Sequence, residues 1–217
     1  MPKYSRGWKI AAIIAGVGTG VKKKIAFVLP YVQNKEVLDI GCAEAGIEDS
    51  PYTKEDWIHK HINSASKYCM GLDMDKKMIK KLQELGYNII QGDAQSFNLD
   101  KKFDIVCALD VIEHIEDVKG FLLSVNRALK PDGKLLLTTP NPWFFLRFVR
   151  CFFRGDGGAH PEHVHWFCNS TIVELLRRYE FEVEKLEFGS GEPRLYRLFF
   201  LPKSLRHTSI WIVAHKK

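Results

Sequence analysis

The stretch VLDIGCAEAG (37–46) decides the fold class of this chain of 217 residues. Residues 37–40 form a short apolar run that predicts a buried β-strand, and a loop that contains Gly41 and Gly46 follows directly. In open sheets of parallel strands, a ligand lies beyond the carboxyl ends of the strands, where such loops are found. The residues that end each strand are therefore the candidate ligand-binding residues.

Short apolar runs of the same kind alternate with amphipathic helical stretches along the rest of the chain. Further strands are predicted at 68–73, 88–90, 104–109, 135–138, 181–188 and 210–214, and helices at 7–32, 54–65, 76–85 and 117–130. Asp75 is predicted to cap the helix at 76–85, and Pro131-Asp132-Gly133 is predicted to turn the chain into the strand at 135–138. A last helix is predicted to start at Ser170 or Thr171, with Glu174 in a capping box. Repeated β-α units with near-continuous apolar strands predict an α/β fold: a doubly wound, mostly parallel sheet with helices on both faces. No linker divides the chain, so the helical segment 1–35 is predicted to belong to the same domain as residues 36–217.

Four acidic residues end four consecutive predicted strands: Asp39, Asp73, Asp93 and Asp110. The row suits a ligand that carries an ammonium, a sulfonium, ribose hydroxyls and an adenine amine. Asp73 can accept from both ribose hydroxyls, Asp93 can accept from the adenine amine, and Asp39 can orient the glycine loop and favour the amino group. Helix capping is the alternative, and it explains one or two of the four acids.

A dinucleotide site is the rival interpretation of the same layout. Its G-x-G-x-x-G loop brings backbone amides to a pyrophosphate, whereas this chain has Ala43 and Ala45 where glycines are expected. The carboxylate of Glu44 would also repel a pyrophosphate. Asp39 and Asp73 are 34 residues apart, but the dinucleotide fingerprint places its acid only about 20 residues on. A nucleotide-dependent oxidoreductase therefore stays the alternative to a protein that binds a ligand without phosphates.

Five motifs in order resemble those of the class I S-adenosylmethionine-dependent methyltransferases, in the broad group that includes the ubiquinone-biosynthesis O-methyltransferases. They are VLDIGCAEAG (37–46), GLDMD (71–75), GDAQSF (92–97), FDIVCALDVIEHI (103–115) and LKPDGKLLLTTPN (129–141). The resemblance implies a sheet of seven strands with the last strand antiparallel, and it implies S-adenosylmethionine as cofactor. A protein that keeps this fold and binds the cofactor without turnover is a further alternative.

The resemblance also implies a set of cofactor-binding residues. The loop after the first strand would line the methionine end of the cofactor. The ends of the second and third strands would contact the ribose and the adenine, and the end of the fourth strand would border the methyl-transfer site. These residues are Asp39, Gly41, Cys42 and Ala43, then Asp73, Met74, Asp93 and Ala94, and finally Leu109 and Asp110. The family loop commonly has glycine where Ala43 and Ala45 stand, and the segment 47–53 delays the first helix, so weaker contact with the cofactor is expected here.

The predicted catalytic residues are Glu113, His114 and His163. Glu113 and His114 follow the fourth strand, and His163 lies in HPEHVHWF (160–167); a protonated acceptor needs a general base of this kind. The prediction includes no metal ligand. However, Asp110-x-x-Glu113-His114 with a later histidine also resembles the magnesium-binding arrangement of some ubiquinone-biosynthesis enzymes and small-RNA 2′-O-methyltransferases. Plain helix capping by Glu113 and His114 is the third interpretation.

The segment WFFLRFVRCFFR (143–154) interleaves aromatic residues with arginines. Such a helix can cover an apolar substrate, lie on a membrane surface, or be a core helix with extended arginines. Because the family has its acceptor pocket below this region, the segment favours a lipophilic or bulky acceptor, and we expect a small-molecule or lipophilic methyl acceptor that is methylated on oxygen. Peripheral membrane contact is the accompanying prediction.

The net charge and the cysteines restrict the possible partners and the cellular compartment. The net charge of +6 favours anionic partners, but the basic residues are scattered as solvated helix faces, such as Lys22-Lys23-Lys24, which argues against nucleic acid. Five cysteines without a C-x-x-C pair argue against a disulfide framework and a thiolate zinc site. We expect no secretory signal and a cytoplasmic location.

Overall fold

The computed structural model describes residues 17–43, 57–191 and 200–217. In chain order the elements are α1 (Val17–Val32), β1 (Glu36–Ile40), α2 (Ile58–Ala65), β2 (Tyr68–Asp73), α3 (Lys76–Glu84), β3 (Ile89–Gln91), β4 (Phe103–Leu109), a 3-10 helix (Ile112–His114), α4 (Val118–Ala128), β5 (Leu129–Pro140), α5 (Phe145–Arg154), α6 (Asn169–Arg178), β6 (Phe181–Gly191), α7 (Lys203–Arg206) and β7 (His207–Lys216). The predicted helical residues 7–16 and 54–56 lie outside the described residues.

The strands form one seven-stranded sheet in the order β3-β2-β1-β4-β5-β7-β6. β1 pairs in parallel with β2 and β4, β2 with β3, and β4 with β5. β7 runs antiparallel to both β5 and β6. The predicted α/β class, the number of strands and the antiparallel last strand are therefore confirmed.

Helices cover both faces because neighbouring strand residues point to opposite sides of the sheet. Val37 packs in one hydrophobic cluster with Phe27 of α1, whereas Leu38 packs in another with Phe121 of α4 and Ile172 of α6. Each large apolar side chain that is fully buried in this way stabilises the fold by about 1.5–3 kcal/mol. The two layers hold the carboxyl edge of the sheet, where the candidate ligand residues lie.

β5 is longer than predicted. It begins at Leu129 and includes the Pro131-Asp132-Gly133 stretch, from which a turn before residue 135 was predicted. Leu129 pairs with Phe103 of β4 and Lys134 pairs with Ile105, so residues 130–133 bulge out between these two pairs, with Asp132 at a left-handed φ of 61°.

The helix α6 begins with a capping box, but it is formed by Cys168 and Thr171 and not by the predicted residues. The helix starts at Asn169, and Cys168 precedes it, with the Cys168 N–H donating to Oγ1 of Thr171 (3.1 Å). Glu174 instead accepts hydrogen bonds from Arg177 and Arg178 on the exposed face. The helix starts earlier than predicted, so Glu174 falls too far along it to reach the cap.

Asp75 caps α3, as its position before the helix predicts. Its Oδ1 accepts hydrogen bonds from the N–H groups of Lys77 and Met78, both at 3.0 Å. We expect Asp75→Ala to lower the free energy of unfolding by about 1 kcal/mol, because two helix donors lose their acceptor. Urea unfolding measures the loss, and Asp100→Ala, at an exposed loop position, is the control. Equal midpoints for both variants would contradict the prediction.

Candidate functional site

The carboxylate of Asp73 joins the end of β2 to the loop that follows β1. Its Oδ2 accepts a hydrogen bond from the Ala43 N–H (2.8 Å), and its Oδ1 accepts one from the Asp75 N–H (3.0 Å). Hydrogen bonds from backbone donors to an ionised carboxylate are strong and orient it. The predicted cofactor residues Ala43 and Asp73 are therefore in direct contact at the carboxyl edge of the sheet.

Gly41 brings the same loop against the segment that follows β4. Its φ of 71° is in the left-handed region, and its N–H donates to the carbonyl of Leu72 (2.9 Å). A Cβ at this position would lie 2.7 Å from Cγ2 of Val111, which is closer than two carbons can approach. Glycine is therefore required both by the backbone angle and by the packing.

Cys42 completes the described part of the loop. Its carbonyl accepts a hydrogen bond from Nε1 of the buried Trp57 (2.9 Å), and burial raises the pKa of its thiol well above the ordinary value. Cys42 is therefore a small, neutral packing group. Residues 44–56 lie outside the described residues, so the expected weakening of cofactor contact by Ala45 and the segment 47–53 stays a prediction.

Asp39 is paired with His59, a residue that the sequence analysis missed. Nδ1 of His59 lies 2.8 Å from Oδ2 of Asp39, and the two side chains are 1% and 6% exposed. A carboxylate this deeply buried needs a polar partner, and α2 provides it. The only local signal was that His59 lies three residues before the buried Ile62, on the apolar face of α2.

Asp93, Ala94 and Met74 lie beside Asp73. The chain returns to this edge because the Gly92 N–H donates to the carbonyl of Asp73 (2.9 Å). The carboxylate of Asp93 accepts from the Gln95 N–H (2.8 Å), Ala94 is buried, and Met74 is 65% exposed. An exposed thioether at this position provides an apolar surface on which a flat ring can pack. The predicted contacts of these residues with ribose and adenine stay predictions.

Asp110 follows Leu109, the half-buried last residue of β4. Its φ is 55°, its N–H donates to the carbonyl of Thr138 (3.0 Å), and Oγ1 of Thr138 donates to its Oδ1 (2.7 Å). It also forms an ion pair with Lys24 of α1. Burial would raise the pKa of Asp110, but the Lys24 ammonium and the Thr138 hydroxyl outweigh burial and lower it.

The assignment of Lys24 to a solvated helix face is therefore wrong. Its side chain is only 11% exposed, and its ammonium reaches a carboxylate 86 residues further along the chain. A lysine can lay its stem along an apolar surface while its charge finds a partner. Nothing in the local sequence indicates such a long-range contact.

Glu113, His114 and His163, the predicted catalytic residues, come together in the structure, and their catalytic role stays a prediction. Glu113 and His114 lie on the 3-10 helix, and the loop that carries His163 is fixed to it by two backbone bonds. The N–H groups of Val164 and His165 both donate to the carbonyl of Glu113, at 2.9 and 3.2 Å. The rings of His114 and His163 lie edge to face with centroids 4.6 Å apart.

This cluster holds polar atoms that lack partners among the described residues. Both carboxylate oxygens of Glu113 and Nδ1 of His163 are buried without a hydrogen bond. Burial, together with the Asp110 charge, raises the pKa of Glu113 to about 8. Burial and the neighbouring His114 lower the pKa of His163 to about 4, so its imidazole is neutral at pH 7. Unpaired buried polar atoms of this kind indicate a bound group.

A divalent cation fits this cluster. One ligand atom from each of Glu113, His114 and His163 lies within 4.8 Å of the others. Asp110 is outside this set, since Lys24 and Thr138 engage its carboxylate. Two imidazoles with one carboxylate suit a transition metal such as Mn²⁺, Fe²⁺ or Zn²⁺ better than Mg²⁺, which prefers oxygen ligands.

An apolar cavity of about 590 Å³ opens beside the cluster. Its walls include Trp143, Phe145, Phe148, Trp166 and Leu205. The Trp166 ring makes an edge-to-face contact with the His163 ring, with centroids 6.3 Å apart. Trp166 therefore links the cavity wall to His163 of the cluster.

The sheet order and the helices on both faces define a Rossmann-like α/β fold. A family model described as a methyltransferase domain matches residues 17–186, which is most of the chain. The chain belongs to the class I S-adenosylmethionine-dependent methyltransferase family. The predicted family and the predicted cofactor, S-adenosylmethionine, are confirmed.

Curated relatives and solved structures agree with this assignment. The chain is 24% identical to the ubiquinone biosynthesis O-methyltransferase of Rickettsia bellii over 72% of its own length and 65% of that protein, and 28% identical to the enzyme of Rickettsia felis over 72% and 64%. The chain thus matches less than two thirds of the length of these relatives. A methyltransferase structure from Archaeoglobus fulgidus superposes with a TM-score of 0.68 at 20% identity, covering 98% of this chain and 100% of that one. The magnesium protoporphyrin IX methyltransferase of Synechocystis, solved with bound S-adenosylhomocysteine, gives a TM-score of 0.65 at 15% identity, covering 100% and 90%.

Within residues 17–43, 57–191 and 200–217, every helix is too short or too polar to cross a membrane.

Proposed function

We propose that this chain transfers the methyl group of S-adenosylmethionine to an oxygen of a small, lipophilic acceptor. The observation that carries the proposal is the close approach of Gly41 to Val111. This contact brings the loop at the predicted methionine end against the residue that precedes the 3-10 helix of Glu113 and His114. Two groups that must meet for methyl transfer, the donor and the acceptor, would therefore occupy adjoining sites.

The acceptor class is supported by two features. The curated relatives are named as ubiquinone biosynthesis O-methyltransferases, which supports oxygen as the methylated atom. The cavity beside His163 is lined mainly by aromatic and aliphatic side chains, which favour an apolar acceptor. Peripheral membrane contact belongs to the same proposal and is developed below.

The residues at the strand ends fit the donor. S-adenosylmethionine supplies a methyl group on a positively charged sulfonium. Asp39 and Asp73 would give the edge the negative charge that this cation and its ammonium require, and Asp73 would accept from the ribose hydroxyls. The main task of the chain is alignment, because placing the two reactants in line can lower the barrier by several kcal/mol.

The cluster beside the cavity prepares the acceptor. A hydroxyl has to lose its proton, and Glu113, His114 and His163 are the side chains placed to direct this step. A divalent cation held by these three residues would act as a Lewis acid on the acceptor oxygen. The unpaired oxygens of Glu113 favour this metal-assisted role over a general base alone.

The compartment proposed from the sequence has one further support. All five cysteines of the chain are free thiols, three of them buried. Thiols persist in the reducing cytoplasm, which is the location we propose.

Calorimetry with S-adenosylhomocysteine tests the cofactor part of the proposal. We expect Asp73→Asn to weaken binding about tenfold, because a charged acceptor to the ribose is lost and the Ala43 loop loses its anchor. Asp100→Asn, an exposed acid in the loop before β4, is the matched control and should bind as the parent does.

Failure of the parent to bind S-adenosylhomocysteine or S-adenosylmethionine would remove the enzyme proposal. Binding without methyl transfer to any lipid, quinone, sugar, small-RNA or protein pool would indicate a binding protein instead. Quenching or enhancement of NADH fluorescence on mixing would support the oxidoreductase alternative.

A further inference from the structure

Helix α5 has two faces of opposite character. Arg147, Arg150 and Arg154 are spaced three and four residues apart, so they share one side of the helix. Phe148 and Phe152, four residues apart, lie on the opposite side, and Phe153 extends that side. The helix contains no acidic residue and no buried residue.

Arg147 and Arg150 of the arginine face make contacts with the protein. Nη1 of Arg147 donates to the carbonyl of Gly158 (3.1 Å), and the guanidinium of Arg147 lies over the Trp166 ring, 4.6 Å from its centroid. Nε of Arg150 donates to Oδ1 of Asp156 (2.8 Å). The polar side of α5 therefore makes the contacts that fix the helix to the fold.

The phenylalanine face is turned away from the protein. Phe148, Phe152 and Phe153 are 68%, 76% and 77% exposed, and the nearby Trp143 is 55% exposed. A surface helix of a globular protein normally has the reverse orientation, with its apolar side on the core. Leaving three phenylalanines in water costs free energy that only a covering apolar phase recovers.

We propose that α5 is a membrane-docking helix that lies in the surface of an anionic bilayer with its phenylalanine face inserted. Interfacial helices combine Phe, Trp and Leu on one face with Arg or Lys on the other, which is the composition of α5 and Trp143. The exposed Arg154, at the end of the helix, is placed to meet lipid phosphates. The protruding rings favour a fluid bilayer over a protein partner, which would have to match their shape.

The cavity beside the cluster of Glu113, His114 and His163 connects the phenylalanine face of α5 with the proposed reaction. Phe148 belongs both to the inserted face and to the cavity wall, and Trp143 does so too. An acceptor dissolved in the bilayer could enter the cavity without crossing water. This route for the acceptor rests on the proposed function, whereas the docking itself does not.

Vesicle flotation of the full chain tests the docking. The probes are vesicles of phosphatidylcholine alone and of phosphatidylcholine with phosphatidylglycerol, each at low and high salt. We expect flotation with the anionic vesicles, weakened by salt. The double variant Phe152→Ser with Phe153→Ser should lower the partition coefficient at least about tenfold. Arg154→Glu should lower it on anionic vesicles only.

The matched control is the double variant Leu85→Ser with Leu123→Ser, which removes two exposed apolar side chains elsewhere and should float as the parent does. The mutated rings are exposed, so thermal unfolding and S-adenosylhomocysteine affinity should be unchanged in the phenylalanine variant. Absence of flotation, or equal flotation of both double variants, would overturn the proposal. Concentration-dependent dimers that the phenylalanine variant abolishes, without vesicle binding, would identify a second copy as the occupant and would also overturn it. Because S-adenosylhomocysteine binding is measured separately, a failed docking test is distinguishable from a failed function.

Discussion

Gly41→Ala is expected to abolish measurable binding of S-adenosylhomocysteine and to lower the free energy of unfolding by about 2–4 kcal/mol. Part of the loss, about 1–2 kcal/mol, arises because an alanine at φ 71° is strained in the left-handed region. The rest arises because its Cβ would lie 2.7 Å from Cγ2 of Val111. Either the loop after β1 or the segment after β4 has to move, and the two adjoining sites then separate.

Gly86→Ala is the matched control. Gly86 has a similar φ of 87°, but a Cβ there would meet nothing within 4 Å. It should therefore show the backbone strain alone, with unchanged ligand affinity. Calorimetry and urea unfolding of the two variants separate the effect of backbone strain from the effect of the contact with Val111.

A second substitution sharpens this test. Val111→Ala in the Gly41→Ala background removes the side chain that the new Cβ meets and should recover part of the lost stability. Unimpaired ligand binding by Gly41→Ala alone would show that the loop after β1 does not take part in the cofactor site.

The sequence predicted the parts of the fold that depend on local patterns. The strand over residues 68–73 and the cap at Asp75 were predicted from neighbouring residues, because an apolar run and a side-chain cap are local features. The predicted strand 135–138 lies within β5, but its start at Leu129 was missed, because the pairing of Leu129 with Phe103 of β4 is a tertiary contact.

Two groups of the candidate site were named from the sequence: the acids that end the strands, and Glu113, His114 and His163. The direct contact of Asp73 with the Ala43 loop agrees with that prediction. The pairing of Asp39 with His59 and of Asp110 with Lys24 could not be predicted, since each joins residues far apart in sequence. The charge of Asp110 is balanced by Lys24 of α1, and the place of Leu109 and Asp110 at the methyl-transfer site stays a prediction.

Glu113→Ala and His163→Ala are expected to lower kcat/KM by about 10²–10⁴-fold, because the acceptor hydroxyl loses the groups that direct its proton. If the three residues hold a divalent cation, the same variants also lose bound metal. Elemental analysis of purified protein should then find a transition metal in the parent and none in either variant. Chelation should inactivate the parent, and Mn²⁺, Fe²⁺ or Zn²⁺ should restore it better than Mg²⁺, because two imidazoles and one carboxylate form the set.

His165→Ala is the matched control for this pair. His165 lies in the same loop as His163, and its own N–H donates to the carbonyl of Glu113, but its ring packs against Phe167, with centroids 5.6 Å apart. It should keep both metal and activity. Full activity of the chelated parent, with the same losses in the Glu113 and His163 variants, would assign the step to the side chains alone. Full activity of both variants would place the acceptor chemistry elsewhere, because the buried, unpaired oxygens of Glu113 would then have no part in the reaction.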